Sequence, residues 1–374
     1  MSRQKIRIAI AGVGNCASSL VQGIAHYGIA HGSPSVGLMN ELIGPYRVAD
    51  IQIVAAFDID SRKVGHPLEE AIFALPNNTT VFCDDIPPTG VTVQMGPTLD
   101  GMPDHMLNYP EHLRFLPADL PPVNVAQVLR DSGAEILVNY MPVGSQQATE
   151  HYAQACLDAG VSFVNCVPAF VVSDPAWAKK FTDAGLPCVG DDVKAQVGAT
   201  ITHRMLARLF ADRGVDISST YQINTGGNTD FLNMLNRSRL ASKKISKTEA
   251  VQSQLDVPLD PDRIHIGPSD FVPFQKDNKV CFLRIEGVGF GGVPMNLEMR
   301  LSVEDSPNSA GVVVDAIRCC QLARQAGIAG PILPVSAWTM KHPPVQMNDG
   351  DAMRAAEEFV NEAVAKMHTA CPSK

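Results

Sequence analysis

The run Ile6-Arg7-Ile8-Ala9-Ile10-Ala11 is apolar and strand-length, and it is broken at once by Gly12-Val13-Gly14-Asn15-Cys16-Ala17. A buried strand that ends in G-x-G-x-x-A and continues as a helix, expected over about 18–25, constrains everything after it. Such a strand calls for parallel neighbours reached through crossover helices, and its turn presents free backbone N–H groups at the positive end of a helix. Gly12 permits the tight turn, Gly14 lets backbone approach a pyrophosphate, and Ala17 allows close packing of helix on strand. Gly12, Gly14, Asn15, Cys16 and Ala17 are therefore candidate dinucleotide contacts. A purely structural turn is the rival reading of so short a motif.

The motif's second half is an acidic residue closing the next strand, expected about twenty residues on. The next good strand, 51–57, ends at Asp58, and the Gly- and Pro-rich stretch 27–50 reads as an insertion between first helix and second strand. Asp58 suits NAD, because the extra phosphate of NADP would meet a like charge; Asp60 is the competing carboxylate. A helix is expected over 68–75, another over 123–130, and a strand over 135–140. The turn Met141-Pro142-Val143-Gly144-Ser145 follows, with Ser145 placed to cap a helix running to 159. A strand over 161–166 and the run 186–189 continue the alternation. This predicts an α/β fold, a Rossmann-type doubly wound parallel sheet whose ligands lie beyond the carboxyl ends of its strands. Gly12, Asp58, Met141, Pro142 and Asp191 fall at such ends and should share one crevice.

After the strand 186–189 comes Gly190-Asp191-Asp192-Val193-Lys194-Ala195-Gln196-Val197-Gly198-Ala199-Thr200, then a helical pattern. The blander reading makes these aspartates solvated or N-capping groups. The alternative is an anion site on the unpaired N–H groups of the helix start, formed by Ala195, Gln196, Val197, Gly198 and Thr200. The texture then changes. The stretch 221–230 is polar and glycine-rich, and Ser242-Lys243-Lys244-Ile245-Ser246-Lys247 puts Lys243 and Lys247 one helical turn apart, with Lys244 pointing elsewhere. Alternating strands over 280–286 and 295–303 suggest a second sheet with one face covered. Helices over 309–326 and 351–368 bring the chain back, giving a dinucleotide-binding part in 1–200, an inserted α+β domain in 201–308, and a return in 309–374.

The 374 residues are enough for two such domains, and a net charge of -9 disfavours nucleic acid as a partner. Nine scattered cysteines show no metal or disulfide spacing, which points to reduced thiols in a cytoplasmic setting, and no run is long enough to span a membrane.

Several long motifs in one order resemble the myo-inositol-1-phosphate synthases, the bacterial branch above all. They are Gly12 to Leu20, Gly96-Pro97-Thr98-Leu99-Asp100-Gly101, Gly190 to Arg204, Ser242 to Lys247, His265-Ile266-Gly267-Pro268-Ser269-Asp270, and Asp305-Ser306-Pro307-Asn308-Ser309-Ala310-Gly311. The resemblance implies conversion of D-glucose 6-phosphate to 1L-myo-inositol 1-phosphate with bound NAD, by oxidation at C5, enolisation, aldol closure of C6 on C1 and re-reduction. It implies a homotetramer, with the inserted domain at 201–308 carrying catalysis and the oligomer contacts. It carries over Lys243, Lys247, Lys279 and Lys341 as active-site lysines, and Asp192 and Asp305 as the carboxylates that hold them. Lys247 is also the expected phosphate ligand. Many relatives have serine where this chain has Ala195, so a hydroxyl near the phosphate is missing here. A divalent ion between Asp305 and substrate oxygens is left open.

Two other enzyme readings and a binding-protein reading compete. A thiol nucleophile at Cys166 would suit a phosphorylating aldehyde dehydrogenase, but no histidine is recognisable as its partner. An ordinary dehydrogenase would release NADH, and a non-catalytic NAD-binding oligomer would leave the lysines without a purpose. His203, Trp177 and Trp338 read as packing residues.

Overall fold

The computed structural model describes residues 5–29, 35–267 and 270–370. Pro268 and Ser269 of the motif at 265–270, and Cys371, lie outside them. Six strands follow in order: β1 (Ile6–Ala11), β2 (Ile51–Asp58), β3 (Val93–Met95), β4 (Ile136–Asn139), β5 (Ser162–Asn165) and β6 (Pro187–Val189). The chain then builds β7 (Asp216–Gly226), β8 (Ile264–Ile266), β9 (Asp270–Phe271), β10 (Asn278–Val288) and β11 (Pro294–Glu304) before returning to β12 (Gly330–Pro331). The first sheet has the order β12-β6-β5-β4-β1-β2-β3, and all its pairings are parallel. Strand order reverses between β1 and β4, with β2 and β3 added on one side of β1 and β4, β5 and β6 on the other, and the ligand crevice of a doubly wound sheet opens at that point.

β1 shows why the sheet is covered on both faces. Ile6, Ile8 and Ile10 pack with Ala17 and Leu20 of helix Asn15–Ile29 and with Val312, Val313 and Ile317 of helix Asp305–Gln325. Ala9 and Ala11 point the other way, towards Leu129, Ala148 and Tyr152. The three isoleucines are wholly buried, worth about 1.5–3 kcal/mol each.

The insertion after the first helix is held by a buried cation. Arg318 pairs with Asp315 and donates to the carbonyls of Asn40, Glu41 and Tyr46, so residues 40–46 rest on helix Asp305–Gln325 without altering strand order.

The second sheet is mixed, with order β11-β10-β7-β8 and β9 paired to β7. Helix Ala199–Asp212 covers one face through Ala207 and Phe210, which meet Cys281, Leu283 and Ile285 of β10. The opposite face leaves Tyr221, Ile223 and Phe282 exposed.

Three local expectations change. The helix at 68 stops at Ala71. The helix expected from 309 begins at Asp305, which puts that carboxylate in its first turn. Ser145 occupies the N-cap position of helix Gln146–Ala159 but makes no side-chain cap. Asp100 caps it instead, accepting from Gln147 N at 2.8 Å and Ala148 N at 2.9 Å, so the motif at 96–101 works as a remote cap.

Candidate active site

The carboxyl ends of β1, β2, β4, β5 and β6 open into a crevice of about 1660 Å³, its solvent-open mouth included. Gly12 has φ +93°, and a Cβ there would stand 2.7 Å from the Tyr140 carbonyl oxygen, so only glycine fits. Around the Gly14 Cβ position nothing lies within 4 Å, and Gly14 lines the crevice. The turn thus offers approach to bare backbone, while the N–H groups of Asn15, Cys16 and Ala17 open a helix and have no intrahelical acceptor. These residues fit a dinucleotide pyrophosphate.

Asp58 accepts from Val13 N at 2.7 Å, Ile59 N at 2.7 Å and Asp60 N at 2.8 Å, which fixes a charge at the crevice wall. Its rival Asp60 is buried and paired with Arg62 at 2.6 Å, and does not line the crevice. Met141, Pro142 and Cys16 do line it. Ala17 is buried in the core, where it packs helix on strand. Burial, then Asp277 and Asp305, push the Cys16 thiol up to about 12. Cys166 also lines the wall, but burial, with the Cys16 thiol next, holds its pKa well above the ordinary value, so it is no nucleophile.

All four lysines, with Asp192 and Asp305, line the same crevice. Lys279, near the start of β10, donates to both Asp305 oxygens at 2.9 and 3.2 Å. Burial alone would lower its pKa, but Asp305 and then Asp230 raise it above the usual value. Lys341 is delivered by backbone pairing: its N–H donates to the Asp192 carbonyl at 2.7 Å, and Lys194 N to Thr339 O at 2.8 Å. Its Nζ then reaches Asp192 Oδ1 at 2.8 Å and the Val193 carbonyl at 2.6 Å. Ser246 donates to the other Asp192 oxygen at 2.6 Å. Against burial, Lys341 and then Lys243 hold Asp192 below the usual carboxylate range, and Lys279 foremost does the same for Asp305.

Lys243 and Lys247 project from helix Ala241–Gln252, while Lys244 is exposed as its position predicts. Lys243 pairs with Asp230 at 2.7 Å. Lys247 is buried and has no carboxylate partner within ion-pair distance among the described residues. Burial first, then Lys243, Lys279 and Lys341, drive its pKa well below the ordinary lysine value. It is a cation site lacking its counter-charge.

Three expected contacts are corrected. Asp191 does not line the crevice; its carboxylate takes Asn165 Nδ2 at 2.7 Å, the N–H groups of Val171, Val172 and Ser173, and Ser173 Oγ at 2.7 Å. It builds the loop beyond β5. Gln196 and Val197 also lie outside, because their N–H groups turn to the Asn308 carbonyl and Oδ1, both at 3.0 Å. Ala195, Gly198, Ala199 and Thr200 do face the crevice, at the uncapped start of helix Ala199–Asp212.

Sequence reasoning missed Asp230, Asp277, Lys63 and Lys194. Lys63 is buried and holds the Val13 carbonyl and Asn77 Oδ1, both at 2.8 Å, beneath the glycine turn. Burial, with the Asp305 charge, pushes Asp277 up to about 6. Asn228, which caps the helix carrying Asp230, was the one available signal. Among the described residues no group of three or more His, Cys, Asp or Glu side chains is arranged to hold a metal ion.

A family model described as myo-inositol-1-phosphate synthase matches residues 198–306. The chain is 54% identical over 357 residues to the inositol-3-phosphate synthase of Mycobacterium tuberculosis H37Rv, covering 95% of this chain and 96% of that one. It is 54% identical over 369 residues to the inositol-3-phosphate synthase of Corynebacterium glutamicum, covering 97% and 100%. Among solved structures, that of Ari2 is 34% identical with a TM-score of 0.77, over 96% of this chain and 99% of that one. A myo-inositol-1-phosphate synthase-related protein from Thermotoga maritima, 24% identical over the same shares, has a TM-score of 0.79 and speaks for the fold alone.

Proposed function

The chain belongs to the myo-inositol-1-phosphate synthase family, and from that premise we propose that it cyclises D-glucose 6-phosphate to 1L-myo-inositol 1-phosphate. The observation that carries this reading is the sharing of one crevice by a dinucleotide turn and four lysines. Bound NAD supplies a two-electron oxidation at C5 and its reversal, so no oxidant is consumed overall. Gly12, Gly14 and the helix start at Asn15 hold the pyrophosphate, and Asp58 holds the adenosine ribose.

A ketone at C5 acidifies the C6 hydrogens. One proton leaves to an amine of the lysine set, the C6 carbon adds to the C1 aldehyde, and a C–C bond closes the ring. Oxyanions form at C5 and C1. We assign them to ammonium groups already fixed by carboxylates, Lys279 on Asp305 and Lys341 on Asp192, which need no reorganisation when charge develops. The test is turnover with NAD far below substrate concentration. Inositol phosphate should exceed the NAD supplied without NADH accumulating; one NADH released per substrate would identify an ordinary dehydrogenase instead.

The phosphate is assigned to Lys247 and the N–H groups at Gly198, Ala199 and Thr200. Its negative charge would supply what Lys247 lacks, raising the depressed pKa, so between the two values binding takes up a proton. Calorimetry with glucitol 6-phosphate over a series of pH values, in buffers of different ionisation enthalpy, should show that uptake. Lys247→Met should abolish it and weaken binding about tenfold or more. Unchanged uptake in the variant places the phosphate elsewhere. A homotetramer built on the exposed Tyr221, Ile223 and Phe282 face completes the proposal; a light-scattering mass equal to one 40.1 kDa chain would exclude it.

A further inference from the structure

Asp277 stands one residue before β10, is 1% exposed and does not line the crevice. Its Oδ1 accepts from Asn228 Nδ2 at 2.8 Å, Asn15 Nδ2 at 3.0 Å and Ser306 Oγ at 3.0 Å, and its Oδ2 accepts from Ser306 N at 3.1 Å. Its own carbonyl takes the Asp305 N–H at 3.1 Å.

Each donor belongs to a different working part. Asn15 opens the helix of the glycine turn. Asn228 caps helix Thr229–Asn233, which carries Asp230, the partner of Lys243. Ser306 follows Asp305, the partner of Lys279, and Lys279 lies two residues beyond Asp277. Asn15 is gripped from the other side too: its Nδ2 donates to Asn78 Oδ1 at 2.8 Å, its Oδ1 accepts from Asn78 N at 2.8 Å, and Asn78 Nδ2 reaches the Gly227 carbonyl at 3.1 Å.

We infer that Asp277 is a positioning residue, which holds the dinucleotide turn in register with the Lys279–Asp305 and Lys243–Asp230 pairs. An ionised carboxylate is acceptor-only, and here it meets donors alone. An amide at this position turns an NH₂ group towards at least one donor, breaking a contact and leaving a buried polar group unpaired. The turn and the lysines then lose their common reference, and a displacement on the order of 1 Å between reacting groups costs about a hundredfold in rate.

The turnover part of this inference rests on the cyclisation reading; the cofactor-binding part does not. The test uses the full chain carrying Asp277→Asn, with Asp277→Ser, which leaves room for a water, as the second variant. NAD affinity is read by fluorescence titration, and turnover and the isotope effect with glucose 6-phosphate deuterated at C5. NAD affinity should fall about fivefold or more and turnover about a hundredfold, and the isotope effect on kcat should rise as hydride transfer becomes slower than the other steps. A role in folding alone would lower the active fraction and leave NAD affinity and isotope effect untouched. Either folded variant with both within twofold of the parent overturns the inference. Wild-type protein giving no cyclised product would instead remove the cyclisation reading, with the NAD titration still deciding for Asp277.

Discussion

Lys341→Ala should fold, bind NAD with little change and lose about a hundredfold or more in turnover, the usual scale when one preorganised donor to a developing oxyanion is removed. The loop carrying it is held by backbone bonds, Lys341 N to Asp192 O and His342 N to Asp191 O at 3.0 Å. Truncating the side chain therefore leaves the segment in place. What disappears is the ammonium 2.8 Å from Asp192 Oδ1. Asp192 then keeps Ser246 and the field of Lys243, so its pKa rises and its hold on charge weakens. Steady-state turnover beside an NAD titration separates the effects. Near-normal turnover would make the Lys341–Asp192 pair a structural tie only.

The largest expected loss of stability lies behind the site. Asp349, at the start of helix Asp349–Ala370, accepts from Lys194 Nζ and Arg204 Nε, each at 2.9 Å. Lys194 is 2% exposed and Arg204 0%. Asp349→Asn leaves two buried cations without their anion, and breaking a buried pair in this way costs about 3–5 kcal/mol. The pH dependence follows from the same contacts. Against burial, Lys194 and then Arg204 depress the folded pKa of Asp349 below its ordinary value. Its contribution is therefore present above the unfolded carboxylate pKa of about 3.9 and lost as pH falls through the lower folded value. Denaturant midpoints of parent and variant at neutral pH and near pH 3 measure this. A neutral-pH difference below about 1 kcal/mol would mean that the pair is replaceable by neutral hydrogen bonds.

The parallel sheet was readable because its strands are short apolar runs punctuated by glycine turns, and buried strands need little else. Asp58 was readable despite the insertion, because residues 40–46 lie on helix Asp305–Gln325 and leave strand order intact. The lysines and their carboxylates were named through resemblance; their pairing needed three dimensions. Lys341 and Asp192 are far apart in sequence and meet only because two loops exchange backbone bonds. Asp191 and Asp192 are neighbours with opposite fates: one is enclosed by five donors and the other faces the crevice. Sequence alone carries no sign of which way each points. Gln196 and Val197 were misplaced for a similar reason, since a turn that aims some N–H groups inward aims others at Asn308. Asp230 and Asp277 escaped because single aspartates in polar stretches, the first rich in glycine and the second in Lys276-Asp277-Asn278-Lys279, look like solvated loop residues.

The measurement that bears most directly on the proposed reaction is the fate of the hydrogen at C5. Glucose 6-phosphate carrying deuterium at that carbon, turned over with unlabelled NAD well below substrate concentration, should give inositol phosphate that keeps the label at the corresponding carbon. The cofactor pool should stay oxidised and the solvent unlabelled, because on the proposed reaction the hydrogen taken from C5 returns to the same carbon before the cofactor leaves the crevice. Loss of the label to water, or its appearance in free reduced cofactor matching substrate consumed, would contradict an oxidation and reduction contained within a single turnover.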